Sequence, residues 1–440
     1  MGMPSPSSSK SWLEQNRSIN AVAKEEFEEE TNEAGIRLRE KLQTDEGKAF
    51  NKDEVLDIAG SFDGSWHHRG FTSSHGVGVI MSVDTGEVLD AVSLSKDCQT
   101  CIKNKDKDDE WKRCHVESGL CEKNFDGPSS SMETAAAKIL WSRSLEKHNM
   151  RYTVLLSDGD NKTLASINDN LKPYGDTKVE KLDCVNHVHK RMGKGSRELL
   201  KSNAKITGGR GGLTKPKIKQ LTEYYKIAIM SNTTKSKDEK VIKQHIKSMK
   251  KSILASLYHS VYNKNPKTMH KYCPVEWCQY KKDINNKTLL YDHAAVENKR
   301  LPNKFLKHML PLYERLSTDA LLKGCVPGLT QNQNESFNAT IWKRYPKERL
   351  FGASAVQRAL TFAIVTWNSG KGYDRLLQKM GLSANWATMQ RMLEKDSVRV
   401  SDAGKREKKS EKARKRRSEK LQEEHQKRQK AEVEYQPGGF

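Results

Sequence analysis

The fold of this chain is restricted most by three consecutive segments in which apolar residues alternate with other residues. The first, VLDIAGSFDGSW, places Ile58 and Phe62 on one side and Asp63 on the other. The second and third, HGVGVIMSV and EVLDAVSL, are separated by the turn sequence DTG. Such alternation, interrupted by a tight turn, is typical of half-buried strands in a meander. The sequence therefore predicts three antiparallel strands.

Helical and strand-like segments alternate after this meander. METAAAKILWSRSLEKHN has the spacing and residue preferences of a helix, and RYTVLLSDGD is an apolar run too short for one. A short helix in KTLASINDNL and a fifth strand in TKVEKLDCV follow. The resulting β-β-β-α-β-α-β order predicts an α/β fold with a mixed five-stranded sheet. In strand order 3-2-1-4-5, the first and fourth strands are neighbours.

Changes in composition divide the chain. The first residues are polar and partly acidic, the stretch after the fifth strand is rich in lysine-bearing amphipathic helices, and the last forty residues lack an apolar stripe. We predict an N-terminal arm with a short helix (1–54), the first part of the α/β core (55–187) with a cysteine-bearing excursion (98–131), a helical insertion (188–330), the C-terminal part of the core (331–400), and a basic tail that is disordered or a solvated helix (401–440).

The formal net charge of +22 indicates an anionic partner, since phosphates attract lysine and arginine through counterion release; solubility alone is the alternative. No segment is apolar enough to predict a membrane span, and the N-terminus lacks an apolar signal core. Without a secretory route, the eight cysteines are expected to be thiols or metal ligands rather than disulfides.

Two carboxylates lie at the ends of predicted buried strands. Asp63 is on the first strand and Asp158 ends the fourth, and in the order 3-2-1-4-5 these strands are adjacent. Paired like charges become tolerable when Mg²⁺ or Mn²⁺ neutralises them, and two ions about 4 Å apart suit phosphodiester chemistry. Glu335 in NQNESFNATIW is the candidate third acid, with Asn338 on the same helix face. The alternative is that all three acids are ordinary turn and cap residues.

The excursion carries five potential metal ligands within 24 residues. A structural Zn²⁺ takes four cysteine or histidine ligands, and a leading CxxC supports such a site. We predict Cys98, Cys101, His115 and Cys121 as the ligands, with Cys114 as an alternative. Unligated surface thiols remain the competing interpretation.

Further cysteines lie beyond the fifth strand. Cys184 and His187 form a C-x2-H pair in CVNH, while Cys273 and Cys278 lie in HKYCPVEWC within the insertion. Together they predict a possible second zinc site that pins the insertion to the core, with His270 as a reserve ligand. His187 could instead contact DNA.

Four motifs in order carry a family resemblance. DGSWHHRGF, SDGDNKT, CVNHVHKRMG and TQNQNESFNATIWKRYPK resemble the Mutator-like transposase domain of animal DNA transposons, a group of DDE transposases in the Mutator superfamily. The resemblance extends weakly to AVQRALTFAIVTWNSGKGYDRLLQKMGL, so it covers about residues 50–400. It implies a ribonuclease H-like core, interrupted by a helical insertion before the last acid.

Carried over motif by motif, the resemblance implies a catalytic triad of acids. The first is Asp63, the second Asp158 with Asp160 as an alternative, and the third Glu335. It implies two Mg²⁺ or Mn²⁺ ions, metal-dependent cleavage at the transposon ends, and attack of the freed 3′ hydroxyl on target DNA. No covalent protein–DNA intermediate is required.

The expected partners are the terminal inverted repeats and the target DNA, bound by a homodimer or higher oligomer, with no membrane partner. The basic run KKSEKARKRRSEK indicates a nuclear protein or a nonspecific DNA arm. Candidate phosphate contacts are Lys162, Lys190, Arg191, Lys194 and Arg197. Two alternatives stay open: a domesticated DNA-binding protein without catalysis, and a ribonuclease H-like nuclease.

Overall fold

The computed structural model describes residues 9–68, 72–158, 161–202, 212–347, 351–370 and 372–383, with isolated helical positions from 386 to 398. The chain divides into two compact units. Unit 1 comprises Met1–Leu182 with Thr330–Leu393, and unit 2 comprises Asp183–Leu329 with Glu394–Phe440. The predicted basic tail and the alternative acid Asp160 lie outside the described residues.

Unit 1 contains the sheet and the helices that cover it. Its elements in chain order are α1 (Ser9–Asp45), β1 (Leu56–Trp66), β2 (His75–Ser82), β3 (Val88–Ser95), α2 (Gln99–Lys103), α3 (Asp109–Glu117), α4 (Met132–Ser142), α5 (Ser144–His148), β4 (Met150–Ser157), α6 (Asn161–Ala165) and β5 (Glu180–Asp183), whose last residue opens unit 2. After unit 2, unit 1 continues with three helices. The helices of unit 2 follow β5 in the sequence: α7 (Val185–Ser202), α8 (Lys215–Met230), α9 (Glu239–Ser260), α10 (Pro266–Met269), α11 (Gln279–Asn286), α12 (Lys304–Arg315) and α13 (Asp319–Cys325). The three helices with which unit 1 continues are α14 (Asn332–Arg344), α15 (Ala353–Asn368) and α16 (Gly372–Lys379).

The five strands form one mixed sheet in the order β3-β2-β1-β4-β5, which confirms the predicted order. β1 pairs antiparallel with β2 and parallel with β4. Strands β2 and β3 are antiparallel, as the DTG turn predicted. The central position of β1 follows from this arrangement, and both of its edges are hydrogen bonded.

Helices cover both faces of the sheet because side chains alternate along each strand. On one face Phe62 of β1 packs edge to face against Trp141 of α4, with ring centroids 5.8 Å apart. On the other face Val79 of β2 belongs to a buried cluster with Phe337 of α14 and Leu360 of α15. The sheet is therefore the middle of three layers.

The N-terminal region differs from its prediction. Residues Ser9–Asp45 form one helix of 37 residues rather than a loose arm with a short helix. Phe27 belongs to the apolar cluster on one side of the sheet, and Ala34 and Leu38 belong to the cluster on the other side. This burial stabilises α1 despite its acidic composition.

Unit 2 is helical and has its own core. Its buried residues include Val188 of α7, Leu221 of α8, Ile253 of α9 and Met309 of α12. The backbone N–H of Val185 donates to the carbonyl of Leu329 over 3.1 Å, so the two ends of the inserted segment meet. Within the described residues, no helix is long and apolar enough to cross a membrane.

Candidate active site and metal centres

The sheet places Asp63 and Asp158 at the neighbouring strands β1 and β4, where their pairing ends. In the parallel pair of β1 and β4, Ser61 is the register partner of Leu156. Asp63 and Asp158 each follow these partners by two residues, so Asp63, within β1, is level with Asp158, which directly follows the carboxyl end of β4. Asp63 is half-buried and Asp158 is exposed.

Helix α14 is fixed to these strands by amide side chains. Gln331, just before the helix, donates from Nε2 to the carbonyl of Phe62 at 2.8 Å and to that of Leu156 at 3.4 Å, which links the ends of β1 and β4. One turn on, Asn334 is buried and accepts from the Ser61 hydroxyl at 2.6 Å. These bonds set the position of the helix across the strand ends.

Glu335 lies on this helix, one turn after Gln331, and is exposed. Asn338 follows on the same side and its Nδ2 donates to Oδ2 of Asp63 over 2.7 Å. Glu335 therefore lies between two residues of the chain, Gln331 and Asn338, that bond to β1 near Asp63. Among the described residues, two groups have potential metal-ligand atoms that all lie within 4.8 Å of one another. The carboxylates of Asp63, Asp158 and Glu335 are in neither group.

The first such group consists of Cys98, Cys101, His115 and Cys121, the four ligands favoured by the sequence. Cys98 Sγ lies 3.4 Å from His115 Nε2, and the sulfurs of Cys101 and Cys121 are 3.7 Å apart. A tetrahedral zinc site with ordinary Zn–S and Zn–N bonds has edges of about 3.6 Å and about 3.8 Å for these pairs. Cys114 is exposed and lies outside the group.

The excursion that carries this group has little apolar core. Helix α2 buries none of its residues, and the only buried residue of α3 is His115. Burial raises the pKa of the Cys98 thiol, but hydrogen bonds from His115 and from backbone amides outweigh it and bring this pKa to about 6. The group could bind zinc.

The second group differs from its prediction. It consists of His259, His270, Cys273 and Cys278, all in unit 2. Cys184 and His187, which were predicted to complete it, belong to neither group. His259 in the last turn of α9 and His270 directly after α10 take the two places that Cys184 and His187 were predicted to fill.

The predicted phosphate contacts lie in different surroundings. Lys162 is exposed at the start of α6, and on α7 Lys190, Lys194 and Arg197 are exposed. Arg191 is half-buried and its guanidinium lies 3.5 Å from the Asp183 carboxylate. A groove between α7 and α8 is lined by His189, Lys190, Gly193, Arg197, Lys215, Ile218, Lys219 and Thr222. None of these described lining residues is acidic.

The family model for Mutator-like transposases matches residues 1–278 of the 440. The chain belongs to the Mutator-like transposase family. No curated protein and no solved structure matches it.

The matched stretch of this Mutator-like transposase includes Asp63, Asp158 and the first Cys/His group, while Glu335 lies beyond it. DNA binding follows from the family. Sequence reasoning missed Gln331 and Asn334 at the site and His259 in the second group. The amide-rich run TQNQNES was the available signal for the first two, and the second histidine upstream of Cys273 was the signal for the third.

Proposed function

We propose that this Mutator-like transposase is a DDE enzyme with a ribonuclease H-like core that cleaves and joins DNA at transposon ends. One observation carries the proposal: Asp63 of β1 is level with Asp158, which follows the parallel strand β4, and Gln331, just before the helix that bears Glu335, bonds to the backbone of both strands. The parallel β1–β4 pair is rigid, so it fixes the spacing of the two aspartates.

Asp63, Asp158 and Glu335 are the residues that would hold Mg²⁺ or Mn²⁺, because oxygen ligands suit these hard cations. Two such ions supply an activated attacking oxygen and stabilise the leaving oxygen in phosphodiester chemistry. Asn338 holds one oxygen of Asp63 through its amide. Asp158 and Glu335 are exposed residues, so a DNA strand can reach this part of the surface.

DNA is proposed to lie along basic helices of unit 2. The α7–α8 groove presents Lys190 and Arg197 opposite Lys215 and Lys219, and its described lining has no carboxylate that would compete with phosphate. Lysine and arginine contacts to phosphates position DNA without selecting a sequence. The terminal inverted repeats, the target DNA, a homodimer or higher oligomer on DNA, and a nuclear location complete the proposal.

The first Cys/His group is proposed to bind a structural Zn²⁺. Its ligand distances suit a tetrahedron, and the excursion buries too little apolar surface to be stable by packing. Four protein ligands close the site, so it would hold the excursion together without taking part in cleavage.

The test is a cleavage and strand-transfer assay on DNA with the flanking inverted repeats, in Mg²⁺ or Mn²⁺. Asp63→Asn and Glu335→Gln are expected to lose activity while DNA binding is retained, because each removes one metal-binding charge. Asp57→Asn is the matched control, since Asp57 lies on the same strand but at its other end, paired with Arg151.

Activity that survives in Asp63→Asn or Glu335→Gln would refute the catalytic assignment. Comparison of Asp158→Asn with Asp160→Asn decides the second acid, and loss in Asp158→Asn alone is expected. A wild-type chain that binds the repeats but cuts in neither metal would favour the domesticated DNA-binding protein.

A further inference from the structure

The second Cys/His group has the internal distances of a metal tetrahedron. His259 Nδ1 and His270 Nδ1 lie 3.2 Å apart, and Cys273 Sγ lies 3.4 Å from the first and 3.7 Å from the second. Cys278 Sγ lies 3.3 Å from His270 Nδ1. With ordinary zinc bond lengths, a tetrahedron has N···N edges of about 3.4 Å and S···N edges of about 3.6 Å. The four side chains point their ligand atoms at one central position.

Aromatic side chains surround the group, since His259 packs against Trp277 and His270 packs against Tyr280 and Tyr291. Cys273 and Cys278 belong to a buried cluster whose only other fully buried member is Ala255. His270 and Cys278 are completely buried. Two histidines and two cysteines whose ligand atoms all lie within 4.8 Å of one another are typical of a structural metal site rather than of packed thiols.

The neighbours of His270 suit a metal-bound ring. Its Nε2 lies 2.9 Å from the Tyr291 hydroxyl, so the ring can donate there while Nδ1 faces the cysteines. Tyr291 is held in turn, because its backbone N–H donates to Asp283. Such outer partners fix the tautomer and orientation of a ligating histidine.

The neighbour of His259 is different. Nη2 of Arg300 lies 2.7 Å from Nε2 of His259, and a ring that binds metal through Nδ1 carries its proton on Nε2. Two donors would then face each other. Metal binding therefore requires Arg300 to shift away from the ring. Loss of the contact between Arg300 and His259 would then indicate that the metal site is filled.

We propose that unit 2 binds one structural Zn²⁺ through His259, His270, Cys273 and Cys278. A tetrahedral S₂N₂ ligand set selects zinc over the hard cations expected at the carboxylates. The ion fastens the end of α9 to the segment that carries α10 and α11. It lies wholly within unit 2 and so does not pin the insertion to the catalytic core. The site does not depend on the proposed function.

The test is the zinc content of the full-length chain, purified without chelator and without DNA. We expect two equivalents in the wild type and one in His259→Ala or Cys278→Ser. His187→Ala is the matched control, because His187 belongs to the C-x2-H pair that the geometry leaves out, and it is expected to keep both equivalents. Since no cleavage is measured, an inactive transposase would leave this result unchanged.

Cobalt substitution of the wild type answers the same question when a variant does not fold. The first Cys/His group supplies three thiolates and the second supplies two. A chain with cobalt in both sites should therefore show charge-transfer absorbance from five thiolates. Loss of the second site should lower that absorbance by about two fifths, since each thiolate–cobalt bond contributes. A wild-type chain with one equivalent and three thiolates, or equal zinc loss in His187→Ala and His259→Ala, would overturn the proposal.

Discussion

At the scale of single residues, the proposed mechanism makes Asn338 a positioning residue for Asp63. Its amide fixes one oxygen of Asp63 at 2.7 Å, and this bond restricts how the carboxylate presents itself to a cation. We expect Asn338→Ala to lower DNA cleavage by about 10- to 100-fold at limiting Mg²⁺, as is usual when the outer partner of a metal ligand is removed. Raising the metal concentration should recover part of the loss. The measurement is the cleavage rate as a function of Mg²⁺.

Thr340→Ala provides the control on the same helix. The Thr340 hydroxyl donates to the carbonyl of Phe337 within α14. Its metal dependence should match the wild type. An Asn338→Ala protein that cleaves normally at low Mg²⁺ would contradict the positioning role.

Ligand residues could be predicted where sequence spacing itself brings them together. Cys98, Cys101, His115 and Cys121 lie within one short excursion, and the structure groups these four. His259 was missed because it ends a long helix, so its approach to Cys273 depends on how the chain turns after α9. The family-like C-x2-H pair was given more weight than the nearer histidines.

At the scale of secondary-structure elements, the length of α1 could not be predicted from local sequence. The run KEEFEEE indicated a solvated arm, yet Glu26 and Glu30 are fully buried. Burial raises the pKa of both carboxyls, while cations on α16 oppose that effect. Arg375 and Lys379 supply these cations from almost 350 residues downstream. Local composition carries no information about such distant partners, so the helix length could not be predicted.

The α7–α8 groove leads to a prediction about salt dependence. Reversing the charge of Arg197 and Lys219 together should weaken binding to duplex DNA, because the two side chains line the groove from opposite helices. Each phosphate that a cation no longer neutralises reduces the steepness of log K against log salt by about 0.9, so the double variant should show a slope shallower by about two units. Fluorescence anisotropy over a range of salt concentrations, without divalent metal, measures both effects.

The control reverses the same number of charges in another groove of unit 2. Lys250 and Lys323 line the groove between α9 and α13, where they pair with Asp319 and Glu239. Because these lysines are already partly neutralised, Lys250→Glu with Lys323→Glu should change the slope less. Equal effects in the two double variants would mean that only the general positive charge attracts DNA.

At the scale of the whole molecule, the sheet order could be predicted because few arrangements satisfy the pattern. Strands β1–β3 follow each other through short connections and therefore pair as a meander. Strand β4 is a buried apolar run that requires a hydrogen-bonded neighbour. Within the meander, β1 has one side that β2 does not use, and β4 pairs there in parallel. The contacts of α14 with the strand ends could not be predicted, since they join residues about 270 positions apart.

The division into units predicts that residues 183–329 fold when expressed alone. Their ends meet, since the backbone N–H of Val185 donates a hydrogen bond to the carbonyl of Leu329. Gly324 and Asp183 are also close, because a Cβ added to Gly324 would lie 2.7 Å from Asp183 Oδ2. Their apolar core is drawn entirely from this segment. Excision therefore cuts the chain where it passes between the units and leaves the core of unit 2 intact. We expect a helical circular dichroism spectrum and one cooperative thermal transition.

The excised segment also separates folding from metal binding. It contains all four residues of the second Cys/His group and none of the first, so we expect one equivalent of zinc, and a lower melting temperature after chelation, since an ion that binds only the folded state stabilises it. A Cys278→Ser segment should melt like the chelated one. A segment that is helical but unfolds without a cooperative transition would show that its helices need unit 1 to pack. That outcome would make the insertion a part of the catalytic core rather than a domain placed within it.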